Sequence, residues 1–320
     1  MFIQSCRSTS PRHPGRWAVV WSLGALLSLS GGCIFSTQQS SDGASLSVAA
    51  RDRHRGYREQ VHRLFEWAVL LKPRDGTLEG RRLDLAPLIV HEVPNESQGV
   101  THTPRFGALE EIDGGRVGVS TELPTVYVET GAISVRGSSY DTLTYRWFYS
   151  IDTPQGSFIA GKGLRIVLGA DGFPIVYETA SVDPSSGAAA GPRSLFLSAS
   201  FELAAEAEYG PALVGRRFAA EKSVEDVPGA IVLRALEDGP LPMGPYLYVA
   251  APSRRIITMH CRCSPSQMNE VIESVYYDLV PFERVRGPLA LAPLGTDRAA
   301  LDPLGALLDR PMDSVLRWPD

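Results

Sequence analysis

Residues 143–149 read LTYRWFY and residues 164–168 read LRIVL; Gly169-Ala170-Asp171-Gly172 follows, then Ile175–Glu178 (IVYE). Successive side chains of a strand point to opposite faces, so Leu143, Tyr145, Trp147 and Tyr149 share one face of an extended segment. LRIVL alternates in the same way. Asp171-Gly172 supplies the positive φ of a tight turn, which makes 164–178 a β-hairpin. The middle of the chain is therefore read as β.

Toward the C-terminus, residues 183–193 (DPSSGAAAGPR) read as an exposed loop and Leu195–Ala199 as a strand. Glu202–Tyr209 reads as a short helix stopped by Gly210-Pro211. Ala230–Leu236, Tyr246–Ala250 and Arg255–His260 are further strands, and Gly239–Pro245, stiff and partly apolar, reads as a rigid loop rather than a connection lying near Cys261 and Cys263. Ser264-Pro265-Ser266-Gln267 has the form of a capping box with Pro at the first helical position. Met268, Val271, Ile272, Val275, Tyr276 and Leu279 then fall on one helical stripe, and Pro281 ends it. Toward the N-terminus, Leu85–Val90 reads as a buried strand and residues 92–107 as a long loop. Tyr57, Val61, Leu64, Phe65, Ala68 and Leu71 recur at helical spacing, which predicts a helix over Asp52–Leu71 stopped by Pro73. Its Arg55, Arg58 and Arg63 form a basic side, read as a solvated face rather than one that touches anionic headgroups. Strands in succession with few helices between them imply an α+β fold: a mostly antiparallel sheet flanked by an N-terminal helix and a C-terminal amphipathic helix. The globular domain runs over 51–286, divisible near 120, and 287–320 is a Pro- and Leu-rich tail.

The 320 residues are 44 % hydrophobic and 21 % charged, with a net charge of −5. That excludes wholesale disorder, a collagen-like fibre, a disulfide-dense miniprotein and a multi-span membrane protein. Residues 1–32 carry Arg7, Arg12 and Arg16 and no acid, then an apolar run of 12 residues from Ala18 to Leu29, then Ser30-Gly31-Gly32-Cys33. A basic start, a short apolar stretch and small residues before a cut site describe a signal peptide. The run is shorter than the ~20 residues that span a bilayer. This leader resembles those of bacterial lipoprotein precursors, in which the Cys of a lipobox becomes the first residue and carries the lipid. The usual pattern is Leu, two small residues and Cys; here Leu29 stands one place further upstream. The resemblance covers only the first 33 residues and implies a lipid on Cys33, with the Ser-rich stretch 33–50 as tether, on the periplasmic face of a bacterial membrane. No family is recognised in the globular part.

Cysteine arithmetic agrees with that implication. Cys6 leaves with the leader, and Cys33, Cys261 and Cys263 remain, an odd number for an exported chain that lipidation of Cys33 makes even. Cleavage removes three positive charges and leaves an acidic product, which argues against nucleic-acid binding. The expected partner is the membrane, reached through Cys33.

No Walker loop, zinc-protease helix, Gly-x-Ser-x-Gly elbow, haem motif or EF-hand loop occurs. Gly161-Lys162-Gly163 is too short for a phosphate loop. His91-Glu92 lacks a second His and is followed by Pro94. Asn95-Glu96-Ser97 matches a glycosylation sequon of little weight in a bacterial lipoprotein context. No catalytic residue and no cofactor is identified.

One constellation carries chemistry: His260-Cys261-Arg262-Cys263. The two thiols can pair, can hold a soft metal such as Cu(I) or Zn(II), or can pack as small apolar side chains. Residues i and i+2 of a strand lie roughly 6.5–7 Å apart, whereas a disulfide prefers about 5.5–6 Å. Pairing thus requires a turn at Arg262. His260 points away from the thiols while the strand persists, and Met243 and Met259 are further soft donors. A helix start beside Cys263 would stabilise a thiolate. Two functions compete: a non-catalytic, membrane-tethered binding or structural module, presenting aromatics such as Tyr145, Trp147, Tyr149, Tyr246 and Tyr248, and a thiol redox or metal-handling protein centred on Cys261 and Cys263. A hydrolase acting on an envelope polymer has only location in its favour.

Overall fold

The computed structural model describes residues 64–76, 78–93, 105–112, 116–135, 138–154, 156–182, 193–209, 212–218, 230–251, 253–263 and 271–282. All belong to the unit that runs from Leu46 onward. The leader, Cys33, the tether, the sequon, most of the Asp52–Leu71 segment, the expected loop over residues 183–192 and the tail 287–320 lie outside them.

The described residues are mostly β, with 62 % of them in strands and 8 % in helices, and this overturns the α+β expectation. In chain order the elements are β1 (Ala68–Pro73), α1 (Arg81–Asp84), β2 (Leu88–Glu92), β3 (Phe106–Ile112), β4 (Arg116–Ser120), β5 (Thr125–Val135), β6 (Ser138–Thr153) and β7 (Gly156–Leu168). Then come β8 (Pro174–Val182), β9 (Arg193–Ser198), α2 (Ala199–Tyr209), β10 (Arg217–Phe218), β11 (Ala230–Leu236), β12 (Tyr246–Val249), β13 (Ile256–His260) and β14 (Val271–Pro281). The strands form one sheet in the order β10-β11-β9-β8-β7-β6-β5-β14-β1-β2-β12-β13, with the β3–β4 hairpin attached at β6. Arg234 of β11 reaches Thr258 Oγ1 (3.3 Å) and His260 Nε2 (2.8 Å) on β13. The two ends of the sheet thereby meet, and the sheet is a nearly closed, barrel-like wall.

Among the described residues neither flanking helix is present; residues 52–63 and 264–270 of the two expected helices lie outside them. The C-terminal stripe is strand β14, paired in parallel with β1 on one side and β5 on the other. Val271, Val275 and Leu279 are four apart, a spacing that satisfies helical period and strand alternation alike. Strand alternation wins because Tyr277, absent from the helical stripe, is fully buried, while Ile272 and Tyr276, both in it, are half exposed. Residues 271–281 (VIESVYYDLVP) are also rich in β-branched and aromatic side chains, which suit a pleated sheet. At the other end, residues 68–71 are strand β1, buried on both faces. Val69 and Leu71 enter the barrel interior, while Ala68 and Leu70 pack outside against Phe65 and Tyr248. A strand covered on both sides is a continuous apolar run, which periodicity cannot separate from a helix.

The expected central hairpin is present. β7 and β8 pair antiparallel around a turn in which Gly172 takes φ 82° and Asp171 Oδ1 accepts from the Phe173 amide. Tyr145, Trp147 and Tyr149 line the interior and are wholly buried. They are core and not a presented surface. Around them pack Phe106, Leu164, Ile166, Phe196, Leu247, Met259 and Tyr277. Three smaller clusters coat the outside: α2 over β8, β9 and β11, Phe65 over β1, β2 and β12, and the β3–β4 hairpin over β5 and β6.

Candidate functional site

Strand β13 ends at His260 and the chain turns through Cys261–Cys263. The turn brings the two Cα atoms to 5.2 Å, and the cysteines form a disulfide. The Cys263 amide donates to Cys261 Sγ (3.0 Å), and Cys263 Sγ lies 3.9 Å from the Glu237 carbonyl oxygen. Gly239 approaches Cys261 so closely that a Cβ there would stand 3.5 Å from Sγ, so the Gly239–Pro245 connection does lie against the pair. From Val271 onward the expected helix is strand instead, and the capping box Ser264–Gln267 lies outside the described residues.

His260 does not join the cysteines. Its ring stands edge-on to Tyr248 (5.5 Å) and its Nε2 accepts from Arg234 Nη1 at 2.8 Å. Burial, and then the charge of Arg234, hold the imidazole at about 3 and neutral. It closes the barrel seam. Met259 is fully buried core and Met243 half-buried. Among the described residues no group of three His, Cys, Asp or Glu is placed to hold a metal ion.

The barrel interior has two polar ends. At the first, the segment Arg82–Pro87 is held by inward-pointing donors. Tyr145 Oη donates to the Arg82 carbonyl (2.9 Å), Tyr277 Oη to that of Pro87 (2.7 Å), and Arg262 Nη2 to that of Ala86. The Gly244 amide donates to Asp84 (3.0 Å), and no side chain fits at Gly244, where a Cβ would stand 2.3 Å from the Leu85 carbonyl oxygen. The disulfide-bonded turn thus carries Arg262 onto this segment.

At the second end, Trp147 Nε1 donates to Tyr149 Oη (3.0 Å), leaving the phenol proton for His91 Nε2 at 2.6 Å. The neutral imidazole then carries its proton on Nδ1, as the network assigns it. His91 is fully buried, and its Nδ1 has no hydrogen-bond partner among the described residues. Burial, and then Arg254, hold its pKa at about 3. Arg254 sits in the β12–β13 turn at φ 55°, where a side chain other than glycine is strained. Its guanidinium lies 5.5 Å over the Tyr149 ring. Lys162 of β7, opposite Trp147 on β6 and Ser181 on β8, points inward from the same wall. It is 9 % exposed, and its Nζ donates to Ser181 Oγ at 2.6 Å. Burial, and then Arg254, lower its pKa.

Neither His91 nor Lys162 stands out by motif. The available signal is alternation: Ala160, Lys162, Leu164, Ile166 and Leu168 are one face of β7, and a lysine stands among its apolar members. The described residues include no helix long and apolar enough to cross a membrane. No known protein family, curated protein or solved structure matches the chain.

Proposed function

We propose that the chain is an envelope lipoprotein: a barrel-like β module moored through lipid on Cys33, exported to the periplasmic face of a bacterial membrane, and acting by binding rather than catalysis. The observation that carries this reading is the Cys261–Cys263 disulfide. Such a bond belongs to an oxidising compartment, and it leaves Cys33 the one cysteine after the leader without a partner to account for. The placement of apolar side chains also supports a module moored by lipid rather than one seated in the bilayer. A membrane barrel turns apolar residues outward around a polar lumen, whereas here the aromatic core is inside. Mass spectrometry of the protein isolated from its native membrane tests the reading. It is expected to find cleavage before Cys33, acyl groups on that residue and two fewer protons for the Cys pair. Full-length chain with Met1 intact in the soluble cell interior overturns it.

A second reading, thiol–disulfide exchange at Cys261–Cys263, is favoured by the ring size. The separation of two residues closes a very small loop, so the bond restrains the unfolded chain by only about 1.6 kcal/mol. Titration with a dithiol separates the readings: exchange in the range of cellular redox buffers supports it, and resistance leaves the bond structural.

A further inference from the structure

We propose that the barrel end at Lys162 and Arg254 is a binding site for a phosphate group, free or as an ester. The inference gives the binding reading a ligand class and rests on it only for binding as such; location is tested separately by the fate of Cys33.

The geometry comes from strand register. Trp147, Lys162 and Ser181 stand side by side on β6, β7 and β8, on the inner face. Tyr149 is the next inward residue on β6, a diagonal neighbour of Lys162 at about 7–8 Å between strand positions. Arg254 stacks over that ring. Two cationic side chains and the Ser181 hydroxyl thus gather at one end of the interior, above the Trp147–Tyr149–His91 chain.

The charge balance is what points to a ligand. A buried charge is ordinarily paired, because desolvating a lone ammonium is costly. This sheet pairs such charges elsewhere: Arg193 and Arg165 with Glu178, and Arg146 with Glu129. Lys162 is nine-tenths buried, yet its one hydrogen bond goes to a neutral hydroxyl, and no carboxylate among the described residues pairs with it. The charge that acts on it is the like charge of Arg254. Folding has therefore placed an ammonium with two unused donors beside a guanidinium held in a strained turn. Ammonium, guanidinium and hydroxyl together form a donor set for a phosphate group. Neutral His91 adds no charge, and its contact fixes the Tyr149 ring under Arg254.

The test uses the full chain, purified in non-ionic detergent from whichever cell fraction holds it. Its thermal midpoint is followed against inorganic phosphate, against glycerol phosphate, and with phosphatidylglycerol vesicles, at matched ionic strength with chloride as control. The proposal expects a saturable rise with at least one of the three, a loss of at least tenfold in affinity for Lys162→Met, and no loss for exposed Arg255→Met. Binding to the small phosphates identifies a soluble ligand; binding to vesicles alone identifies a lipid headgroup. Without ligand, Lys162→Met is expected to unfold at the wild-type temperature or above it. A response that chloride reproduces, a response unchanged in Lys162→Met, or failure of Lys162→Met to fold overturns the proposal. Equilibrium dialysis of the wild type with labelled phosphate reads the binding independently of folding.

Discussion

The two faces of this sheet treat buried charge in opposite ways. On the outer face, Glu178 accepts from Arg193 at 2.7 Å and from Arg165, and Arg146 donates to Glu129 at 2.6 Å. Each of these cations lies beside a carboxylate. On the inner face Lys162 meets a hydroxyl and Arg262 a backbone carbonyl, and neither has an ion pair among the described residues. Paired charges of the first kind link neighbouring strands across the row β5 to β9, Glu129 with Arg146 and Arg165 with Glu178 and Arg193. Those of the second kind stand at the two ends of an aromatic core; there Arg262 is stabilised by the Ala86 carbonyl and the charge of Asp84, and Lys162 by a neutral hydroxyl alone. The contrast sets Lys162 apart from the charges that serve the fold, Arg262 among them, which holds the Ala86 carbonyl.

The largest effect expected from breaking the outer arrangement is at Glu178. Glu178→Gln removes the carboxylate that accepts from both Arg165 and Arg193 and should cost about 3–5 kcal/mol in urea unfolding. Replacing all three with apolar residues of similar size should recover most of that. If the single change costs less than about 1 kcal/mol, the outer pairs are ornamental and the contrast with the inner face fails. At the closed end of the interior, Tyr277→Phe orphans the buried Pro87 carbonyl and should cost about 1–3 kcal/mol. A smaller loss would mean that Arg82–Pro87 is held by Tyr145 and Arg262 without it.

The inner face also sets a pH dependence. His91 is held at about 3 in the folded chain against about 6.5 unfolded. The unfolded state therefore binds the extra proton between those values, and stability present above pH 6.5 is lost as pH falls toward 3. The slope should approach about 1.4 kcal/mol per pH unit from this residue, with His260 adding to it in the same direction. Denaturation followed from pH 7 to pH 4 checks the sign, and His91→Gln should flatten it. A stability that rises on acidification would show that the imidazole is charged in the folded state.

How much of this was legible in the sequence follows from which signals are local. The hairpin at Gly169–Gly172 and the row Tyr145-Trp147-Tyr149 were readable because alternation and turn chemistry are set by neighbours in the chain. The need for a turn at Arg262 was readable from the reach of two thiols, and the 5.2 Å separation meets it. Strand β14 was not readable. Its partners β1 and β5 lie about 200 and 150 positions away in sequence and run parallel to it, a pairing with no local signature. Lacking that partner information, four-residue spacing and a capping box at 264–267 both argued for a helix. The site at Lys162 was missed for a related reason: its three strands and the Arg254 turn come together only when the sheet curls.

The smallest expected effect belongs to the disulfide. Cys261 and Cys263 are two residues apart, and in the chain-entropy account so small a ring removes little freedom from the unfolded state, about 1.6 kcal/mol. Cys261→Ser with Cys263→Ser should therefore lower global stability by no more than that, well below the Glu178 change. The local consequence is separate. The bonded turn aims Arg262 at the Ala86 carbonyl, so the double variant should loosen protection of the Leu85–Ala86 backbone amides while leaving those of β6 and β7 unchanged. Amide hydrogen exchange reads both regions in one experiment. Equal loss of protection throughout the sheet would make the bond a global staple and would remove the distinction drawn here between the closed end of the interior and the Lys162 end.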